Sequence, residues 1–168
     1  MPLPNPDVAT RAAWATFAAF ALNGFALSTW IARLPAVRDQ LELRPAQVGL
    51  ILFVGSIGST VALPLAGWVI ERIGIRRTVI GAAATTAVSL AIAALMVAAG
   101  QPVWVAVALF GTSAGIAGWD VAMNVEGTVV ERAVGRAIMP RFHAGFSVGT
   151  VLGALLGAGT ARLGVPLE

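Results

Sequence analysis

The sequence contains no cysteine and no lysine, a single histidine, and only 11% charged residues over its 168 positions. Without cysteine the chain can form neither a disulfide framework nor a thiolate metal site, and one histidine cannot supply a multidentate imidazole site. All eleven basic residues are arginines, and they lie in short segments between apolar runs instead of forming one patch. We therefore expect no metal, no cofactor and no nucleic-acid partner.

Apolar residues are what the sequence has in abundance. They make up 58% of the chain and bring its mean hydropathy to +0.85, which is not the composition of a water-soluble protein. A helix needs about 20 residues to cross roughly 30 Å of hydrocarbon. The runs that meet this length predict an all-α polytopic membrane protein, one domain over residues 1–168 in contact with the lipid bilayer, with spans at about 12–33, 47–70, 78–99, 103–126 and 142–161.

Polar and helix-breaking residues separate these runs. The first ten residues hold three prolines and predict a flexible tail, and the first span is too long for a signal peptide and is retained. Arg33-Leu34-Pro35 is expected to end that span, followed by a polar connector or short interfacial helix up to Pro45. Gly100-Gln101-Pro102 divides the third span from the fourth, and residues 127–141 are expected to form a loop before the fifth.

The arginines predict the orientation, because cytoplasmic segments carry the basic excess in membrane proteins. An N-terminus inside the cell places seven arginines on the cytoplasmic side and four outside. The inner set is Arg11, Arg72, Arg76, Arg77, Arg132, Arg136 and Arg141, and the outer set is Arg33, Arg38, Arg44 and Arg162. We therefore expect a multi-pass protein of the cytoplasmic (inner) membrane with its N-terminus in the cytoplasm.

The fourth span carries polar groups at helical spacing. Ser113, Asp120 and Asn124 fall on one stripe, and the small residues Gly111 and Gly115 fall on the opposite stripe. Small residues let a neighbouring helix come close, which leaves the polar stripe for a cavity. A charge inside a membrane is costly and points to function. The alternative is that Asp120 hydrogen-bonds an adjacent helix as a structural group.

The fifth and first spans show related patterns. Glycines recur every fourth residue along the fifth span as a ridge for close helix packing, at Gly145, Gly149, Gly153 and Gly157. His143 and Ser147 share another face of that span. In the first span Asn23, near the middle, is the strongly polar group. Each of these polar residues is either a transport-pathway candidate or a group satisfied by a neighbour.

The short charged turn between the second and third spans carries a family resemblance. It closely resembles the major facilitator superfamily signature G-x-x-x-D-R-x-G-R-[RK], with Gly67, Arg72, Gly74 and Arg76 in register. Glu71 stands in place of the aspartate, and Arg77 restores the basic pair one position later. In the family this loop latches the two halves of the transporter on the cytoplasmic side. The resemblance implies the N-terminal six-helix bundle of such a fold, with its sixth helix and C-terminal half absent because the chain is a fragment or a truncated product.

A narrower resemblance covers the fourth and fifth spans. The stretches 118–124 and 141–149 are similar to helices of the fucose-proton symporter branch and related uncharacterised inner-membrane transporters, in which an acid on helix four is linked to proton coupling. The resemblance implies that Asp120 is the proton carrier and Asn124 a substrate contact. The acid that the family has on helix one has no counterpart, and Asn23 is the nearest polar residue there.

These features lead to several functional hypotheses. The first is secondary active transport of a small polar solute by alternating access, coupled to protons and completed by the missing C-terminal half. A drug-proton antiporter is the alternative, although the fourth span lacks arginine and Ala154 follows Gly153 where that class has proline. A non-transporting module that assembles with another half-chain is a further alternative. An enzyme is not expected, since both Gly-x-Ser-x-Gly stretches lie inside helix-length apolar runs.

Overall fold

The computed structural model describes residues 6–163, and the secondary structure in that range is helical throughout. In chain order the elements are α1 (Pro6–Gln40), α2 (Pro45–Ile73), α3 (Ile75–Ala98), α4 (Pro102–Val134) and α5 (Met139–Arg162). All five are long and apolar enough to cross a membrane. The predicted class is confirmed: an all-α, multi-pass membrane protein with five spanning helices.

The first helix is longer at both ends than the sequence predicted. It continues through Pro35 to Gln40, so the helix does not end at Arg33-Leu34-Pro35, and the non-helical connector is only residues 41–44. Beyond the proline, Val37 is almost fully buried and packs in one cluster with Leu43, which favours the helical conformation there. Residues 6–10 of the expected tail are also helical, and Met1–Asn5 lie outside the described residues.

The fourth helix runs past its predicted end at residue 126. It ends at Val134, and the loop expected over residues 127–141 is only residues 135–138. Gly127 packs against Met139 and Phe142 of α5, and Val130 is buried beside them. This tertiary contact keeps a polar stretch helical, and Gly135, with φ 73° and ψ 19°, ends the helix in the left-handed conformation.

Two of the three main helix pairs join helices that are not consecutive in the chain. The closely packed pairs are α1 with α5, α2 with α4, and α3 with α4. Backbone contacts at glycines set two of these pairs, since Gly149 lies directly against the carbonyl of Ala21 and Gly58 lies against that of Phe110. A side chain at either position would collide with the neighbouring helix. Close approach of this kind is how small residues join helices in lipid.

The glycines singled out in α4 and α5 all lie on such contact faces. In α5, Gly145 meets the Phe17 ring, Gly153 meets Ser28, and Gly157 meets Ala32, so the ridge faces α1. In α4, Gly111 meets Ser89 and Gly115 meets Thr86, both of α3.

Two apolar clusters fill opposite ends of the bundle. The first contains Phe20, Trp119, Met123, Val130, Ile138 and Phe142, and the second contains Val37, Leu43, Ile51, Val97, Val105 and Leu109. Along α1 the two clusters are separated by the stretch from Asn23 to Trp30. Asn23 and Ser28, which are both buried, lie in this middle stretch.

Candidate functional site

A cavity of about 510 Å³ lies between α1, α2 and α4 at this middle level, with Phe146 of α5 at its edge. We call it the polar cleft. Its apolar lining includes Leu27, Trp30 and Ile116, and its polar lining is Asn23, Ser56, Ser59, Thr112, Ser113 and Asp120. Three of the six residues predicted for a pathway, Asn23, Ser113 and Asp120, are therefore brought together from α1 and α4.

Asp120 is the ionisable residue in the lining of this cleft, and its side chain is half-buried. Asn124 lies one helical turn further along α4 and does not line the cleft. Its Nδ2 donates to the Asp120 carbonyl oxygen at 2.8 Å and lies 3.4 Å from the carboxylate Oδ1. Asn124 is thus placed to orient the Asp120 side chain. To contact a substrate, Asn124 would have to give up its hydrogen bonds to Asp120.

Asn23 is the most deeply buried polar residue of the cleft, at 1% exposure. Its Nδ2 donates to the carbonyl oxygen of Ile116 on α4 at 3.3 Å, which ties α1 to α4. Its Oδ1 has no hydrogen-bond partner among residues 6–163. A buried acceptor without a partner costs about 1–3 kcal/mol, so this oxygen is a position where a donor from outside the chain would be favourable.

His143 and Ser147 of α5 lie outside the lining of the cleft. The His143 ring is exposed, its Nδ1 is 3.1 Å from the Met139 carbonyl, and it packs edge-on against Phe20 with centroids 5.2 Å apart. It is close enough to Asp120 for an electrostatic interaction. The exposed Ser147 hydroxyl donates to the carbonyl of His143 at 3.1 Å, not to its ring.

Sequence reasoning missed the contribution of α2. Ser56 and Ser59 of α2 line the cleft together with Ser113, and Gly55, next to Ser56, lets the Ser113 hydroxyl approach α2 closely. The signal was present as hydroxyls spaced three residues apart in the otherwise apolar run 48–70. Thr112 was also missed. Its Oγ1 donates to the Ala108 carbonyl at 3.1 Å, as the hydroxyls of many helical threonines do.

The turn that carries the family signature is a single residue, Gly74, with φ 84° and ψ 155°. Arg72 lies over the ring of Trp68 with its guanidinium carbon 5.0 Å from the centroid. Arg76 lines a cavity between α1, α3 and α4 together with Glu126. Gly67, Arg77 and Glu71 are exposed, and within residues 6–163 the Glu71 carboxylate makes no hydrogen bond or ion pair.

Comparison of the sequence with known proteins identifies a family. The sequence profile of the Major Facilitator Superfamily matches residues 14–166. An uncharacterised transporter of that type from Yersinia pestis is 38% identical over 138 residues, which cover 81% of this chain and 35% of the relative. An uncharacterised transporter from Sinorhizobium fredii is also 38% identical over 138 residues, covering 82% of this chain and 36% of the relative. The chain thus spans about a third of the length of these relatives. No solved structure matches it.

Proposed function

Because the chain belongs to the major facilitator superfamily, we propose that it forms the N-terminal part of a secondary transporter that moves a small polar solute across the cytoplasmic membrane by alternating access. The observation that carries the proposal is the polar cleft, which joins Asn23 of α1 to Asp120 of α4 in the middle of an apolar bundle. Binding sites near the bilayer midplane, built where helix bundles meet, are characteristic of secondary transporters.

The chemistry of the cleft suits a solute rich in hydrogen-bonding groups. The unpaired Oδ1 of Asn23 accepts a donor, while the hydroxyls of Ser56, Ser59 and Ser113 can donate or accept. The apolar side chains of Leu27 and Trp30 cover the remaining surface. Such a lining, mostly apolar with a few convergent polar groups, is typical of small-molecule sites.

We assign proton coupling to Asp120. It is the lining residue that can change charge. Of the two other acids on α4, Glu126 lines a different cavity and Glu131 accepts the backbone N–H groups of Ile138 and Met139. Asn124 holds the Asp120 side chain from one turn away and can follow its change of protonation. Binding of a proton to Asp120 then favours one of the two conformations of the transporter, and the bound solute crosses the membrane when the conformation changes.

Alternating access requires a second bundle that closes the cleft in turn from each side of the membrane, so we propose a C-terminal half as the partner of this one. The exposed Glu71, which has no ion pair within residues 6–163, is the group through which the α2–α3 turn would latch onto that partner. Seven arginines lie toward the end of the bundle at which α1 begins and four toward the other end, which supports an N-terminus in the cytoplasm.

Replacement of Asp120 tests the coupling. In vesicles that contain the full-length transporter and a pH-sensitive dye, a panel of sugars, polyols and amino acids is screened for solute-evoked proton movement. Asp120→Asn keeps the size and hydrogen-bonding capacity of the side chain but removes its charge, so we expect loss of uphill accumulation with solute exchange retained.

Glu126→Gln is the matched control, because it removes a carboxylate from the same helix outside the polar cleft and should leave accumulation unchanged. Proton-dependent uphill transport by Asp120→Asn would contradict the assignment. Proton movement opposite in direction to solute movement would indicate the alternative, a drug-proton antiporter.

The orientation is tested with a reporter that is active only in the cytoplasm, fused after Arg162. An N-terminus inside places the end of α5 outside, so we expect no activity there and full activity for a fusion in the α2–α3 turn at Gly74. Activity after Arg162 would reverse the topology.

A further inference from the structure

A second cleft, of about 290 Å³, lies between the N-terminal end of α1 and the α4–α5 turn and shares no lining residue with the polar cleft. Its floor is apolar and buried, formed by Ile138 and Phe142 at 4% and 2% exposure. Its rim carries Arg136 and Arg141. We call it the arginine-rimmed cleft.

The two arginines have no counterion within the described chain. Both are exposed, and neither makes a hydrogen bond or ion pair within residues 6–163. The one acid near them in sequence, Glu131, is already engaged, since its Oε2 accepts the backbone N–H groups of Ile138 and Met139 at 2.7 Å each. No other acidic residue occurs between positions 132 and 167. The rim is therefore a pair of guanidinium groups without a protein carboxylate.

The wall of the cleft on the α1 side carries Thr10 at its N-terminal end and is otherwise apolar. Trp14 is 68% exposed and packs edge-on against Phe17, with ring centroids 5.8 Å apart. The Phe17 ring is held against α5 at Gly145, where a side chain would displace it. Ala13 completes the wall and leaves space beside these rings. A continuous apolar surface thus leads from the arginines toward the middle of the bundle.

We propose that the arginine-rimmed cleft binds one acidic glycerophospholipid, with its phosphate at Arg136 and Arg141 and an acyl chain along Trp14 and Phe17. Guanidinium groups bind phosphate oxygens in a bidentate manner, and basic pockets between membrane helices are suited to anionic lipid headgroups. A free inorganic anion would satisfy the rim but leave the apolar floor and wall uncovered. The amphiphilic lining therefore favours a lipid of the leaflet on the N-terminal side.

The test is native mass spectrometry of the full-length chain in mild detergent, incubated with equal amounts of phosphatidylglycerol and phosphatidylcholine of the same acyl chains. We expect one phosphatidylglycerol to be retained in preference to phosphatidylcholine, and excess inorganic phosphate not to displace it. Arg136→Gln with Arg141→Gln should lower the retained fraction on the order of tenfold. Trp14→Ala, which leaves both charges in place, should also lower retention.

The matched control is Arg11→Gln with Arg132→Gln. It removes the same charge from the same end of the bundle, at exposed positions that do not line the cleft, and should leave retention unchanged. Equal retention of phosphatidylcholine, an equal loss in the control pair, or displacement by inorganic phosphate would each overturn the proposal. If the double variant does not give a monodisperse protein, the two single glutamine variants are compared with the single control variants under the same criteria.

Discussion

Two turns at the same end of the bundle begin alike and end differently. The first runs Glu71-Arg72-Ile73-Gly74-Ile75-Arg76 and the second runs Glu131-Arg132-Ala133-Val134-Gly135-Arg136, and each passes through a glycine with positive φ. In the first turn the acid is exposed and has no partner within residues 6–163, whereas in the second it binds two backbone N–H groups of the next helix.

The length of the connection explains the difference. A single residue, Gly74, separates α2 from α3, so the connection is too short to fold the first amides of α3 back onto Glu71. Four residues separate α4 from α5, and they bring the first amides of α5 back to Glu131. An acid placed at the N-terminus of a helix satisfies amides that lack intrahelical partners. A Glu-Arg pair shortly before a glycine thus supplies a helix cap in the α4–α5 turn, whereas in the α2–α3 turn its carboxylate stays available to a partner.

Removal of the two acids should separate these roles most clearly. Glu131→Ala leaves the amides of Ile138 and Met139 without their charged acceptor, and we expect a loss of about 2–3 kcal/mol in stability. Glu71→Ala should not change stability and should instead alter the accessibility of cysteine probes near the α2–α3 turn in the full-length protein. Hydrogen exchange of the 135–141 segment measures the first effect.

Glu131→Gln is the control, since its amide oxygen can still accept, and it should lose less than the alanine variant. Equal destabilisation by Glu71→Ala and Glu131→Ala would show that the capping contact is not what distinguishes the two turns.

The two glycines should respond differently to asparagine. Gly135 lies in the left-handed helical region, which asparagine tolerates, so Gly135→Asn should be nearly neutral. Gly74, with ψ 155°, lies in a region populated almost entirely by glycine, and Gly74→Asn should cost about 1–2 kcal/mol. Thermal unfolding of the two variants in the same detergent gives the comparison, and similar midpoints would contradict it.

The smallest expected effect concerns the arginine after each acid. Arg72 lies over the Trp68 ring, and at an exposed site such a contact contributes about 0.5–1 kcal/mol. Arg132 has no aromatic contact of this kind within residues 6–163. Arg72→Gln should therefore shift the emission of Trp68, measured with the other four tryptophans replaced by phenylalanine, whereas Arg132→Gln should not. If the Trp68 emission spectrum is unchanged in both variants, the contact between Arg72 and Trp68 does not distinguish the two turns.

The polar cleft was only partly predictable. The spacing of Ser113, Asp120 and Asn124 predicts one face of α4. Ser113 and Asp120 line the cleft, whereas Asn124 hydrogen-bonds Asp120 and does not line it. Ser147 shares a face with His143 as its spacing requires, yet that face does not line the cleft. Helical periodicity defines which residues share a face, while the neighbour that this face meets depends on how the helices pack.

The α4–α5 turn shows the same limit. A charged stretch from Gly127 to Arg141 is indistinguishable from a loop by composition, and it folds mostly as helix because Val130 and Gly127 pack against α5. The role of Glu131 could not be predicted from the sequence. Its carboxylate accepts the backbone N–H of Ile138, seven residues later, and this contact forms only because the turn brings Ile138 back to the end of α4.

The sequence alone is enough to predict that residues 6–163 form five helices of membrane-spanning length, because apolar runs of bilayer length must satisfy their backbone hydrogen bonds internally. It also determined where helices can approach closely, because only small residues permit it. The tertiary structure alone decided that α1 pairs with α5 and α2 with α4, and so brought Asn23 to Ile116 and Asp120 across 93 or more positions of the chain. The reason is that in lipid the choice of partner depends on the shape of whole helix faces, which no local pattern of residues specifies.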